Sequence, residues 1–455
     1  MRCLVCVALV LGCSAEPKLN YGLVFDAGSS GTRIHVYTWR TGGGGAKDAF
    51  DLVSDDILKI KPGLSAYKDK PAEAGASLRP LLEYARTKIP ADKMATTPTF
   101  LMATAGLRLV GEQAKDAILR SVCSELSASG VLFRCEWATL LDGRDEGLYG
   151  WVTVNYLLDT LYPPAASEPA GIIDLGGGSV QIVFGTPSHA SAPEGYTQQL
   201  DFGGRKHGIY VKSHLGFGLD AARSALLDLL IARRGEANEK PIRHPCLPKG
   251  EALEYKQMTF VGEGEWHRCY KLQLKLFDTS SCPHKSCSFN GSYQPELPAE
   301  FKGFSYMYDR TTAIGLLDGV PKQFGSQAMS QADIAQAGES LCALNKQQAA
   351  TRFSAHQDAS KSSNFCGDVA YVAALLSSLG FAPTTKLTMT NKIKDVELVW
   401  TLGAMLAKSA ELAGSSASGS LFTINFVLGV MLLVALIYCF CGRQSGGTYR
   451  SAGKK

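Results

Sequence analysis

Two stretches of this 455-residue chain follow one plan, and that plan limits the fold more than any other feature. In Tyr21–Tyr37 (YGLVFDAGSSGTRIHVY) an apolar run ends in Asp26, turns through Ala27, Gly28, Ser29, Ser30 and Gly31, and re-enters a β-rich run, Ile34–Tyr37. In Ala170–Phe184 (AGIIDLGGGSVQIVF) an apolar run ends in Asp174, passes Gly176, Gly177, Gly178 and Ser179, then continues past Gln181 into a second apolar run. Each predicts a strand, a tight turn and a strand. The glycines let backbone amides approach a ligand, and Ser29, Ser30 and Thr32 add hydroxyl donors, so such a turn suits phosphate. An aspartate where the strand gives out can face a divalent cation accompanying that phosphate, through bound water. Taken singly, the first stretch reads equally well as a hairpin with a polar tip.

The second aspartate follows the first by 148 residues, too wide a period for a solenoid and a suitable one for two related lobes. Two such turns facing each other would form a cleft with an aspartate on each wall. The arrangement resembles the actin and hexokinase superfamily, which implies a two-lobed α/β ectodomain of duplicated ribonuclease-H-like units with nucleotide phosphates between paired hairpins. Architecture alone does not carry a function.

The ends of the chain speak to its compartment. Residues 1–15 read as a secretory signal peptide: Arg2, an apolar run Cys3–Leu11, then small residues up to Ala15; a lipoprotein site at Cys13 is the lesser alternative. Leu421–Cys441 is an uncharged apolar run long enough to cross a bilayer as one helix, preceded by a flexible linker at 413–420. Residues 442–455 carry Arg443, Arg450, Lys454 and Lys455 without an acid, so a cytoplasmic tail and an extracellular or Golgi/ER-lumenal ectodomain of a single-pass type I protein are expected. A net charge of +4 offers no basic face for nucleic acid.

Of 13 cysteines, eight fall in the ectodomain, an even number suited to disulfides in an oxidising compartment. Cys123 with Cys135 and Cys342 with Cys366 are the preferred pairs, while Cys246, Cys269, Cys282 and Cys287 can pair in three ways. Asn290-Gly291-Ser292 is a glycosylation sequon in a segment that suits a surface loop.

Between the two turns lie two further stretches with chemical potential. Thr99–Leu109 (TFLMATAGLRL) predicts a buried strand running into Thr104, then one helix continuing through Ala117 and Leu126. Thr104 can donate to phosphate; Arg108 is either a phosphate partner or a lobe-internal ion pair, with the structural role favoured. Leu140–Leu158 opens with Asp142, Arg144, Asp145 and Glu146 before an apolar helix. An acid in a helix's first turn is ordinarily a solvated partner of the macrodipole. Glu146, however, stands at the expected crossing between lobes, where a carboxylate can reach a water aligned on the terminal phosphate. His207 and His214 read as structural.

Asp26–Arg33, Ala103–Arg108, Glu146–Trp151 and Asp174–Gln181 together resemble, in order and rough spacing, the first four conserved regions of the apyrases, the ecto-nucleoside triphosphate diphosphohydrolases. The likeness runs on through Tyr210–Arg223, Phe301–Asp309, Asn364–Phe381 and Glu397–Leu406. It implies hydrolysis of the terminal phosphate of nucleoside tri- and diphosphates, with Ca2+ or Mg2+ and without a phosphoenzyme. Carried over, Glu146 would be the general base, and Ser179 and Gln181 would hold the water. Gly28, Ser29, Ser30, Gly31, Thr32, Arg33, Thr104, Gly176, Gly177, Gly178 and Ser179 would bind phosphate. Asp26 and Asp174 would orient the hydrated metal, and Tyr306 or Tyr308 would stack on the base, unless that pair is packed core. Where many relatives carry Ala-Ser-Thr, this chain reads Gly178-Ser179-Val180, which keeps the amides and loses one hydroxyl; Phe365–Asp368 matches the fifth region loosely.

The resulting organisation is lobe I at 18–145 with a returning segment at 395–412, and lobe II at 146–394. The rival readings are a phosphotransferase of the same superfamily and a catalytically silent nucleotide-binding receptor.

Overall fold

The computed structural model describes residues 18–28, 31–42, 47, 49–202, 204–234, 241–315 and 326–413. The expected signal peptide, Ser29, Ser30, the linker beyond 413, the spanning run 421–441 and the tail lie outside these. Among the described residues no helix is long and apolar enough to cross a membrane. One unit ends at Ala404 and holds every strand; the described part of the other, from Met405, is helical.

The first sheet contains β1 (Lys18–Ala27), β2 (Thr32–Thr41), β3 (Asp51–Ile60), β4 (Thr99–Ala103) and β5 (Ala138–Leu140), in the order β3-β2-β1-β4-β5. The apolar run of β1 makes it a central strand, antiparallel to β2 and parallel to β4, with its last six residues buried. Helices α1 (Arg79–Lys88), α2 (Ala91–Met94), α3 (Ala105–Arg108) and α4 (Glu112–Ser127) accompany it. The single helix expected after Thr104 is thus two: Gly111, at φ 88°, breaks it in a conformation that favours glycine. Leu23, Phe25, Leu81, Leu101, Ile118 and Val122 form the core of this layer.

Helix α5 (Gly143–Leu157) leads into the second sheet, whose strands are β6 (Gly171–Leu175), β7 (Ser179–Gly185), β8 (Thr197–Phe202) and β9 (Arg205–Leu215). After α6 (Leu219–Arg233) a small sheet of β10 (Ile242–His244), β11 (Ala252–Tyr255) and β12 (Met258–Gly262) precedes α7 (Trp266–Leu274). The large sheet resumes with β13 (Phe301–Ser305), β14 (Gln327–Ser330) and β15 (Lys386–Met389), interleaved with α8 (Tyr306–Gly315), α9 (Gln331–Cys342), α10 (Lys346–Arg352) and α11 (Phe365–Ser378). Its order is β14-β15-β13-β6-β7-β9-β8.

Within that order, β9-β7-β6-β13-β15 repeats β3-β2-β1-β4-β5 in both sequence of neighbours and strand sense. The duplicated turn is therefore part of a duplicated sheet, and Asp26 and Asp174 are the penultimate residues of corresponding strands.

Four disulfides form: Cys123–Cys135 and Cys342–Cys366 as preferred, and Cys246–Cys269 with Cys282–Cys287 among the pairings left open. Asn290 of the sequon is exposed. Both histidines are packed: His207 Nε2 meets the Leu161 carbonyl at 3.0 Å, and His214 stacks on Phe289 with its pKa lowered by burial to about 3.

Candidate active site

A side chain at Gly31 would bring Cβ within 2.6 Å of the Ile60 carbonyl, so only glycine fits at the entry to β2 against the end of β3. Arg33, opposite Asp26 in the β1–β2 ladder, donates from Nη1 to Asp26 Oδ2 at 3.1 Å. Beside them Thr32 is 1% exposed, and its hydroxyl has no hydrogen-bond partner among the described residues. A buried hydroxyl left unpaired costs about 1–3 kcal/mol. The Thr104 amide donates to the Ala27 carbonyl at 3.2 Å, which ties the start of α3 to the end of β1, and the Thr104 hydroxyl does not cap that helix.

The second turn is held from its carbonyl side. The Gly216 amide donates to the Gly178 carbonyl at 2.8 Å, Leu219 to Gly176 at 2.9 Å, and Asp220 to Gly177 at 3.0 Å. With the carbonyls engaged by the approach to α6, the Gly177 and Gly178 amides find no partner among the described residues. Gly178 also faces the first sheet's side: a Cβ there would sit 2.8 Å from that of Ala105. The two turns are brought together through α3.

Helix α5 supplies the third wall. Asp142 caps it, accepting from the Arg144 amide at 2.7 Å. Three glycines at helical spacing then let it lie close on the second sheet: a Cβ at Gly143 would come 2.3 Å from Ser213 Oγ, at Gly147 3.0 Å from Gln181 Cβ, and at Gly150 3.2 Å from Ile172 Cδ1. This approach buries Glu146 to 9% exposure, where Arg108 Nη2 donates to Glu146 Oε2 at 2.7 Å. Arg108, read from the sequence as a phosphate partner or an internal ion pair, thus makes an ion pair with the candidate base.

Burial and neighbouring charge raise two of these acids, Glu146 and Asp174. Burial first, and then the charge of Asp174, push Glu146 up to about 8, with Asp26 adding to the rise and Arg108 opposing it. Burial raises Asp174 to about 6, opposed by a hydrogen bond from the Ser305 side chain and by Arg33, and reinforced by Asp26. Ser305 sits at φ 54°, in the left-handed region, immediately after Phe304, the β13 residue paired with Asp174. When all three are ionised, the acids exceed the two neighbouring arginines by one negative charge, a balance that would suit a cation. Among the described residues no group of three or more His, Cys, Asp or Glu is placed to ligate a metal.

Ser179 and Gln181 are both buried on β7, and Gln181 Nε2 donates to Ser179 Oγ at 2.8 Å and to Ser213 Oγ at 3.1 Å. Ser213 and Ser305 were not singled out from the sequence, since their places depend on strand register. Tyr306 and Tyr308 lie at the start of α8; Tyr308 is buried, while Tyr306 is half-buried with the Arg310 guanidinium 4.9 Å from its ring centre.

Residues 13–416 match the GDA1/CD39 (nucleoside phosphatase) family. Guanosine-diphosphatase of Schizosaccharomyces pombe is 33% identical over 432 residues, spanning 88% of this chain and 75% of that protein. Ectonucleoside triphosphate diphosphohydrolase 6 of Homo sapiens is 33% identical over 407 residues, spanning 87% and 78%. In fold, nucleoside triphosphate hydrolases from Neospora caninum superpose with a TM-score of 0.63 at 16% identity, over 86% of this chain and 92% of that one.

Proposed function

This chain belongs to the GDA1/CD39 (nucleoside phosphatase) family, and from that premise we propose that it removes the terminal phosphate of nucleoside tri- and diphosphates with water made nucleophilic by Glu146. The observation that carries this reading is that Glu146, Asp174 and Asp26 are all buried and that the charges of Asp174 and Asp26 both reach Glu146, beside the two glycine-bearing stretches.

Phosphoryl transfer has a loose transition state, so fixed donors around the equatorial oxygens matter more than covalent chemistry. The Thr32 hydroxyl, Arg33, and the Gly177 and Gly178 amides supply such donors, together with Gly28, Gly31, Thr104, Gly176 and Ser179; Ser29 and Ser30 belong to the same turn in sequence. Ser179 and Gln181 hold the attacking water, and Glu146 accepts its proton, so no phosphoenzyme forms. Asp26 and Asp174 would hold Ca2+ or Mg2+ through its water shell, where it would neutralise charge on the phosphate oxygens. Ionised Glu146 is the reactive form, and Arg108 favours it. Tyr306 is the proposed stacking surface for the base ahead of the buried Tyr308. Four disulfides support an oxidising, extracellular or lumenal setting, with 421–441 as the proposed membrane anchor.

The test is phosphate release by the purified full-length chain from ATP, ADP, GDP and UDP, with Ca2+ or Mg2+ and with a chelator. Release that stops in chelator is expected. No release from any of them would overturn the reading, and undiminished release in chelator would remove the metal role of Asp26 and Asp174.

A further inference from the structure

A water that attacks phosphorus must give both hydrogens to acceptors so that a lone pair faces the phosphate. Glu146 accepts one. In the reading above Gln181 accepts the other; we propose that Ser213 is the positioning residue that turns Gln181 Oε1 toward the water, an inference that rests on that reading and deepens it.

The Gln181 amide has two N–H groups and one oxygen. Both N–H groups are used: Nε2 donates to Ser179 Oγ at 2.8 Å and to Ser213 Oγ at 3.1 Å. Oε1 takes no hydrogen bond from the described residues and is not among the polar atoms sealed from solvent, which leaves it free to accept. Ser179 alone would hold one N–H and leave the amide plane free to turn. Ser213, directly opposite Gln181 in the β7–β9 ladder, takes the second N–H and fixes that plane.

Helix α5 presses on the same pair. Its bare backbone at Gly147 lies against Gln181 Cβ and Cγ, and at Gly143 against Ser213 Oγ and Arg108 Nη1. Arg108 in turn holds Glu146. The two acceptors for the water are thus fixed by one assembly: Arg108 behind Glu146, and Ser213 behind Gln181, meeting at Gly143. Without Ser213 the amide turns, and an N–H presented to the water would orient it as an acceptor, with its lone pair spent.

The experiment is steady-state turnover of ADP by the full-length chain carrying Ser213→Ala, Ser213→Thr, Gln181→Ala, or Ser213→Ala with Gln181→Ala, with Glu146→Gln in parallel. Ser213→Ala is expected to lower kcat about tenfold, the worth of one oriented hydrogen bond, with KM and Tm unchanged. Ser213→Thr, which keeps the hydroxyl, should recover most of it. The double variant should turn over no more slowly than Gln181→Ala alone, because Ser213 acts only through that amide. Unchanged kcat in Ser213→Ala, or effects that multiply in the double variant, would overturn the proposal. If Glu146→Gln is inactive while Ser213→Ala is normal, only the Ser213 role falls. A Glu146→Gln enzyme with full turnover would instead defeat the water-activation reading, and the Ser213 role with it.

Discussion

The two turns occupy matching places in matching sheets, yet they carry their charge differently. Arg33 stands seven residues after Asp26 and pairs with it; Gln181 stands seven residues after Asp174, and its amide bonds two serines instead. The first wall therefore presents an acid with its own ion-pair partner and the second an acid without one, softened by the Ser305 side chain and more weakly by the charge of Arg33. Asp174 and Glu146, on the second wall's side, are the acids raised well above their ordinary values. The two strand pairs match, and divergence at one ladder position gave the first an arginine and the second an amide, which the proposed function uses to hold water. Under the proposed function, the charge that raises Glu146 beyond the effect of its burial comes first from the second wall.

That contrast can be broken at graded cost. Glu146→Gln should have the largest effect, lowering kcat by about 10²–10⁴-fold while nucleotide still binds; a loss of binding with kcat preserved would move Glu146 from base to ligand contact. Asp174→Asn should cost about 10–100-fold, the range for outer-shell groups around a metal, and weaken the dependence on added Ca2+ more than Asp26→Asn does. Equal effects at the two aspartates would erase the difference drawn between the walls. Thr32→Val should lower kcat/KM about tenfold with no loss of Tm, since the hydroxyl it removes is unpaired in the folded chain and costs stability there. A fall in Tm would show that the hydroxyl is structural. Smallest for activity should be Cys123→Ser with Cys135→Ser, which opens a loop of 12 residues remote in sequence from both turns. It should cost about 3 kcal/mol of stability in denaturant titration and leave turnover intact.

Much of this site is written locally. An apolar run, an acid and glycines within eight residues define each turn, and the repeat of the pattern already announces a two-walled cleft. What the sequence hides are partners chosen by register and packing. Arg108 reaches Glu146 across 38 residues, Ser213 meets Gln181 only because β9 pairs with β7, and Ser305 reaches Asp174 only through the end of β13. Gly111 was visible as a residue, but its positive φ, which splits α3 from α4, follows from where the chain must go next. A signal was present on α5: Gly143, Gly147 and Gly150 recur on one helical face, and such a face lets a helix approach a sheet closely enough to seat Glu146 beside Gln181.

The central claim is that Glu146 is a base whose ionisation is held back first by its burial and then by the charge of Asp174 on the second wall. The pH dependence of kcat/KM tests it, measured for the wild type, Asp174→Asn and Asp26→Asn at one cation concentration. Glu146 must be ionised to accept a proton, so activity should rise with pH through one ionisation, at or below about 8 because bound cation favours the carboxylate. Removing the negative charge of Asp174 makes ionisation easier, so the rise should move to lower pH, and by more than in Asp26→Asn. A flat profile below 8, or a rise that stays in place when Asp174 is neutralised, would contradict the account.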